Sequence, residues 1–140
     1  MAAREKHLSF RDPGLNFYVR DVVRAVHFYT DLLGFTETFR TPKDGTPVHV
    51  EMRLGQLTLG IASIDAALVD HGLVLNPGSP SAELVVWTDD TDEAYVTLTE
   101  KGVVSLSAPH DFLQSLRSAW VADPEGNPIQ IVAHRAERNE

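Results

Sequence analysis

Leu15-Asn16-Phe17-Tyr18-Val19-Arg20-Asp21 alternates apolar and polar side chains, as a half-buried strand does, and closes on an aspartate. A helical pattern follows and stops at Gly34. About 68 residues further on, Glu83-Leu84-Val85-Val86-Trp87-Thr88-Asp89 repeats the arrangement, and its helical pattern stops at Gly102. Counted from Asp21 and from Asp89, the aspartate-to-glycine interval is thirteen residues in both copies. More strand-like segments follow each glycine. The duplication predicts an α+β fold of two βαβββ modules in one chain, each sheet packing one face on its own helix. The other face of each sheet needs a partner. Two such sheets wrapping a cleft put a binding site between equivalent positions of the modules.

In the first strand, Leu15, Phe17 and Val19 share the helix-facing side, and Asn16 and Tyr18 take the other. Asp21 is a helix N-cap, because its carboxylate accepts from free amides of the first turn. Val22, Val26, Tyr29 and Leu33 recur at helical spacing, and Gly34 supplies the left-handed stop. Residues 35–40 read as a second strand, 41–47 as a turn-rich loop, and 48–54 with 56–63 as a hairpin around Gly55. Residues 64–80 read as a linker ending in Asn76-Pro77-Gly78-Ser79-Pro80; its short apolar stretch is assigned no element. In the second module Asp90 caps the helix, with Glu93 at the spacing of a reciprocal capping box that satisfies two amides. A strand over 103–108 leads to Pro109-His110-Asp111-Phe112, which opens a lid-like loop over 109–115. Residues 116–122 and 129–134 form the last hairpin, closed by the turn Asp123-Pro124-Glu125-Gly126-Asn127, which is given a structural role. The chain thus divides into a flexible arm over 1–13, a single domain over 14–134 and a tail over 135–140. Within the domain, module one is 14–63 and module two 81–134.

A chain of 140 residues, 43% hydrophobic and 8% aromatic, buries a core of its own and matches a globular rather than a disordered composition. No cysteine is present, which removes disulfides, thiolate metal sites and a cysteine nucleophile. The net charge of -8 argues against nucleic acid as a partner, because phosphate binding needs clustered Lys and Arg. No apolar run approaches the roughly 20 residues of a membrane helix, and the first residues lack a signal-peptide core. The expectation is a soluble, cytoplasmic protein that handles a small molecule. No GxSxG elbow, phosphate loop or HExxH is present, so nucleophilic hydrolysis and nucleotide chemistry lack a motif.

Val19-Arg20-Asp21, Phe28-Tyr29-Thr30-Asp31-Leu32-Leu33-Gly34-Phe35 and Asp123-Pro124-Glu125-Gly126-Asn127, in that order, resemble the vicinal oxygen chelate superfamily. That group contains glyoxalase I, bleomycin resistance proteins, fosfomycin resistance enzymes and extradiol dioxygenases. The resemblance spans roughly residues 14–134 and implies the paired-module fold and a homodimer. It also implies four places where the family's metal enzymes take ligands. In this chain they fall at Gly14, in the strand 56–63, at Glu83 and at Gln130. Glycine has no side-chain ligand, residues 56–63 contain no His, Asp or Glu, and Gln130 carries no charge. One carboxylate is short of the roughly three protein ligands of a catalytic metal. The resemblance therefore points to a metal-independent protein, with metal polarisation of vicinal oxygens lost.

The same parity locates the cleft lining. Asn16 and Tyr18 in the first strand, Glu83, Val85 and Trp87 in the fifth, and Gln130, Val132 and His134 in the last share the side that carries metal in the relatives. This mixture of rings, amides, aliphatics and one acid suits a ligand pocket, whereas a cleft that is merely filled would be drier. Tyr18 and Trp87 are placed to stack on a planar ligand, or else are core aromatics, and Trp120 either joins them or is covered by its neighbours. Glu83 orients a ligand amine or hydroxyl, serves as a general base, or is a satisfied strand-end carboxylate. His49 and Glu51 share one strand face, adding His49 to the lining and, with Glu83, offering an unconventional metal site. The leading expectation is a bleomycin-resistance-type binding protein, without cofactor, that sequesters a planar or cationic antibiotic or xenobiotic. The alternative is a lyase, isomerase or dioxygenase of the same superfamily, using a divalent metal or Glu83 as base. A third reading is a subunit or regulator with a vestigial cleft. Within-chain and cross-chain clefts are equally compatible with the sequence.

Overall fold

A computed structural model of the chain describes Ser9, residues 11–76 and residues 78–136, so most of the expected arm and tail, and Pro77 of the linker, lie outside the described residues. Module one runs β1 (Leu15–Val19), α1 (Val22–His27), β2 (Thr36–Thr41), β3 (His49–Leu54) and β4 (Leu57–Ser63). A helix α2 (Ile64–His71) follows. Module two runs β5 (Leu84–Trp87), α3 (Thr91–Glu100), β6 (Val104–Phe112), β7 (Leu116–Ala122) and β8 (Pro128–His134). The two sheets have the same order, β1-β4-β3-β2 and β5-β8-β7-β6, with the first strand parallel to the last. The paired α+β modules expected from the repeat are present.

Alternation along the strands sorts side chains as the sequence requires. Phe17 and Val19 on β1, Val50 and Met52 on β3, and Leu59 and Ile61 on β4 are buried under α1. Leu84, Val121, Ile129 and Ile131 do the same in module two, beside Leu98 of α3. These side chains form one continuous cluster across both modules. The helix-facing sides of the two sheets therefore share a core, and each sheet keeps its other face open.

The helices show where the two copies part. Asp21 and Asp90 are the true caps, accepting from the amides of Arg24 and Glu93 at 3.0 Å each. Measured from these caps the repeat is unequal, with thirteen residues from Asp21 to Gly34 and twelve from Asp90 to Gly102. The extra residue of module one is absorbed in a π-helical turn over Phe28–Leu32. The closing hydrogen bonds record the same insertion: Phe35 N–H reaches back to Tyr29 O, whereas Val103 N–H needs to reach only Leu98 O. The capping box at Asp90 is half formed, because the Asp90 amide donates to Thr88 Oγ1 at 3.4 Å in place of Glu93.

Two segments correct the sequence reading. The linker begins with α2, whose first turn is capped by Ser63 Oγ accepting from the Ala66 amide, and whose end is set by Gly72 in a left-handed conformation, φ 67°. The expected lid at 109–112 is instead the end of β6, and residues 113–115 only turn the chain into β7. Proline is tolerated there because β6 is an edge strand, and its pairing with β7 is broken by register shifts on either side of Ser107.

The turn 123–127 also joins the modules. Asp123 is buried and its carboxylate accepts from the amides of Glu125 and Asn127, from Asn127 Nδ2, and from the hydroxyl of Tyr29 at 2.7 Å. Glu125 Oε1 in turn accepts from the amides of Arg20 and Asp21 at 2.8 and 3.2 Å. Burial, then the charge and hydrogen bond of Asp123, hold the Tyr29 phenol well above its ordinary pKa.

Candidate functional site

On the open face of module two, sheet pairing lines up Val85, Gln130, Trp120 and Ser107 in one row and Trp87, Val132, Ser118 and His110 in the next. Trp120 donates its indole N–H to Glu83 Oε2 at 2.6 Å, so the acid just before β5 holds a ring two strands away. His110 stacks on the same indole at 5.8 Å and 18° between planes. Its Nδ1 lies 2.7 Å from Ala108 O, which fixes the imidazole against the strand. A second stack, Trp87 on His134 at 4.8 Å and 26°, stands at the other side of the face. Gln130 spends its amide on Ser118 Oγ at 3.2 Å. Trp87 is 57% exposed and Val85 44%, so the edge strand β5 leaves two large apolar side chains open to solvent on this face.

The open face of module one pairs Asn16, Gly60, Glu51 and Phe39 in one row and Tyr18, Ala62, His49 and Thr41 in the next. His49 Nε2 meets Glu51 Oε2 at 3.2 Å. Gly60 is what lets these side chains approach: a Cβ there would fall on Asn16 Oδ1 and come within 3.1 Å of His49 Cε1. Phe39 lies beside the imidazole at 6.4 Å. Next to this face, Asn16 and Tyr18 border a cavity of about 220 Å³ with Leu75, Asn76 and residues 78–82.

The expected lining thus divides. Asn16, Tyr18, Glu83, Val85 and Trp87 are exposed, and His49, Trp120 and Gln130 are partly so. Val132 is a correction: it has the expected parity but is 1% exposed, closed in between Trp87 and Ser118 on the flanking strands. Ser118, which alternates with Trp120 on β7, was within reach of the same parity rule. His110 was not, because the register shifts of β6 break the count. His49 and Glu51 come together, but Glu83 is engaged by Trp120, and among the described residues no group of three or more His, Cys, Asp or Glu side chains is arranged to hold a metal ion.

The family's metal positions do not fit a divalent cation in this chain. Gly14 offers only backbone near Thr58 O, and β4 carries no charged side chain. Glu83 and Gln130 are bonded to Trp120 and Ser118. Among the described residues no helix is long and apolar enough to cross a membrane.

Solved structures share this architecture. TioX from Micromonospora sp. ML1 superposes with a TM-score of 0.72 at 22% identity, covering 89% of this chain and all of that one. A glyoxalase/bleomycin resistance protein/dioxygenase superfamily member from Sphaerobacter thermophilus gives 0.67 at 27% identity, covering 90% and 99%. A lactoylglutathione lyase from Agrobacterium tumefaciens gives 0.65 at 16%, covering 87% and 92%. No curated protein matches the sequence. The family model for the Glyoxalase/Bleomycin resistance protein/Dioxygenase superfamily matches residues 7–131, and with the paired βαβββ modules this places the chain in that superfamily.

Proposed function

We propose that this is a metal-independent binding protein that sequesters a planar, preferentially cationic small molecule, of the kind represented by antibiotics and other xenobiotics. The observation that carries the reading is the open face of module two, where Trp87 and Trp120 are each braced by a histidine and Trp120 is pinned by Glu83. Rings fixed before the ligand arrives lose little freedom on binding, and their π-faces favour planar or cationic partners. The net charge of -8 favours cations over anions as ligands.

A homodimer completes the cleft in this reading. The core occupies the helix-facing sides of both sheets, and Tyr18, Phe39, Val85 and Trp87 are left open at 36–57% exposure. Module one of one copy facing module two of another covers these side chains and gives each ligand two walls. The cytoplasm, to which the cysteine-free sequence is suited, is the compartment in which we place it.

The test uses proflavine, a planar cation, followed by fluorescence polarisation with and without chelator. Binding persists in chelator, and Trp87→Ala weakens it about tenfold or more, given roughly 1–3 kcal/mol per stacked ring. Zn, Ni, Mn or Fe held tightly at one per chain overturns the metal-independent reading. Turnover of the methylglyoxal–glutathione hemithioacetal, or of a catechol, replaces it with an enzyme of the superfamily.

A further inference from the structure

The two walls differ in chemistry: module two offers braced rings, and module one offers an imidazole held by a carboxylate. We infer that His49 and Glu51 form an acceptor for an acidic hydroxyl on the planar ligand, so that the class bound is a phenol or an enol. This rests on the binding reading above and adds the group that meets the second wall. Glu51 Oε2 lies 3.2 Å from His49 Nε2. A carboxylate accepts only, so Nε2 carries the proton and the lone pair stands on Nδ1. No protein partner for Nδ1 is present among the described residues. The imidazole is 26% exposed and Glu51 42%, so the pair is open to a ligand yet partly withdrawn from water.

The floor under the pair is specific to this task. Val50 and Met52, the alternate residues of β3, are fully buried, which turns His49 and Glu51 onto the open face. Gly60 removes the side chain that would separate Asn16 from His49. The Asn16 carboxamide oxygen therefore stands in the same gap as the edge of the imidazole. Phe39 closes the far side as a ring wall. In these two rows the titratable groups are His49, Glu51 and Tyr18 alone. The step is a single proton transfer. The ligand O–H breaks, its proton goes to Nδ1, the pair becomes imidazolium with carboxylate, and the ligand is held as the oxyanion. Glu51 acts through His49 and is a positioning residue.

The probe is 4-nitrophenol, whose phenolate absorbs visible light, compared with its methyl ether 4-nitroanisole, which has no proton to give. At a pH where free nitrophenol is mostly protonated, the wild type binds it about tenfold more tightly than the ether, a preference of ~1.4 kcal/mol, and the bound form shows phenolate absorbance. In His49→Gln the preference and the absorbance change both vanish, while circular dichroism shows the fold kept. In Glu51→Gln the phenolate fraction falls and the preference for nitrophenol over the ether narrows. Equal preference in wild type and His49→Gln overturns the inference, as does nitrophenol bound only in its protonated form. Proflavine binding without any nitrophenol binding removes the hydroxyl acceptor and leaves the ring platform standing. Failure of both probes removes both readings.

Discussion

Tyr29 and Asp123 show how one residue's ionisation is tied to the joint between the modules. The phenol donates into a buried carboxylate that already takes three other hydrogen bonds, from the turn it belongs to. Tyr29→Phe leaves that carboxylate one donor short, and urea unfolding at neutral pH should show a loss of about 1.5–3 kcal/mol. The pH dependence follows from the raised pKa of the phenol. The folded state keeps the proton above the pH at which the unfolded chain releases it, near pH ~10 for tyrosine. The contribution is therefore complete below about pH 10 and is lost as the pH climbs beyond it toward the folded value. Wild type should lose stability between neutral and strongly alkaline pH more steeply than Tyr29→Phe. Parallel slopes would mean that the phenol's ionisation is not linked to folding. From the sequence, the aspartate and its proline-glycine turn were legible as turn chemistry, but a bond across 94 residues leaves no local signal. Glu83 is a similar case, since its role depends on Trp120, which reaches it only after β5, β8 and β7 have paired.

At the scale of elements, alternation was the most informative property of the sequence, and it failed where pairing was irregular. It sorted β1, β5 and β8 correctly between core and open face, apart from the covering of Val132. On β6 the register shifts removed the period on which the count depends, and Pro109 looked like a loop residue because edge strands accept what central strands reject. Helix α2 was missed although Ser63 and Gly72 bracket it, because Ala66, Ala67, Leu68 and Val69 form one short apolar run without helical spacing, and only Ala67 is buried. The π turn was invisible because counting from Asp89 instead of the cap Asp90 made the two copies look equal in length. The glycine of β4 gives a test at this scale. Gly60→Ala puts a methyl group onto Asn16 Oδ1 and within 3.1 Å of His49 Cε1. Asn16 should swing away and the His49–Glu51 contact should open, at a cost of about 1–3 kcal/mol for an overpacked site. Adding Asn16→Ala should restore most of the stability but not the preference for nitrophenol over nitroanisole. Full stability in Gly60→Ala alone would show that the strands β1, β4 and β3 are less tightly fitted than this geometry requires.

For the whole molecule, the central question is which two walls face each other. One core is shared by the helix-facing sides of both sheets and leaves their other faces open, and in the proposed dimer a wall of module one meets its opposite in another copy. A two-fold dimer then has two equivalent clefts, each built from Tyr18 and His49 of one chain and Trp87 and Trp120 of its mate. Tyr18→Ala and Trp87→Ala should each abolish tight proflavine binding when pure, because each removes a ring from every cleft. Mixed in equal amounts, unfolded and refolded together, the two variants behave differently. Half of the dimers contain one of each chain, and in those both lesions fall in the same cleft while the other cleft is intact. About a quarter of the wild-type binding capacity should return, at wild-type affinity. A cleft made within one chain predicts no recovery at any mixing ratio, since every cleft then carries one lesion. Sedimentation of the same samples separates that outcome from failure to associate: dimers without recovered sites would place the cleft inside the chain, and monomers would remove the dimer itself.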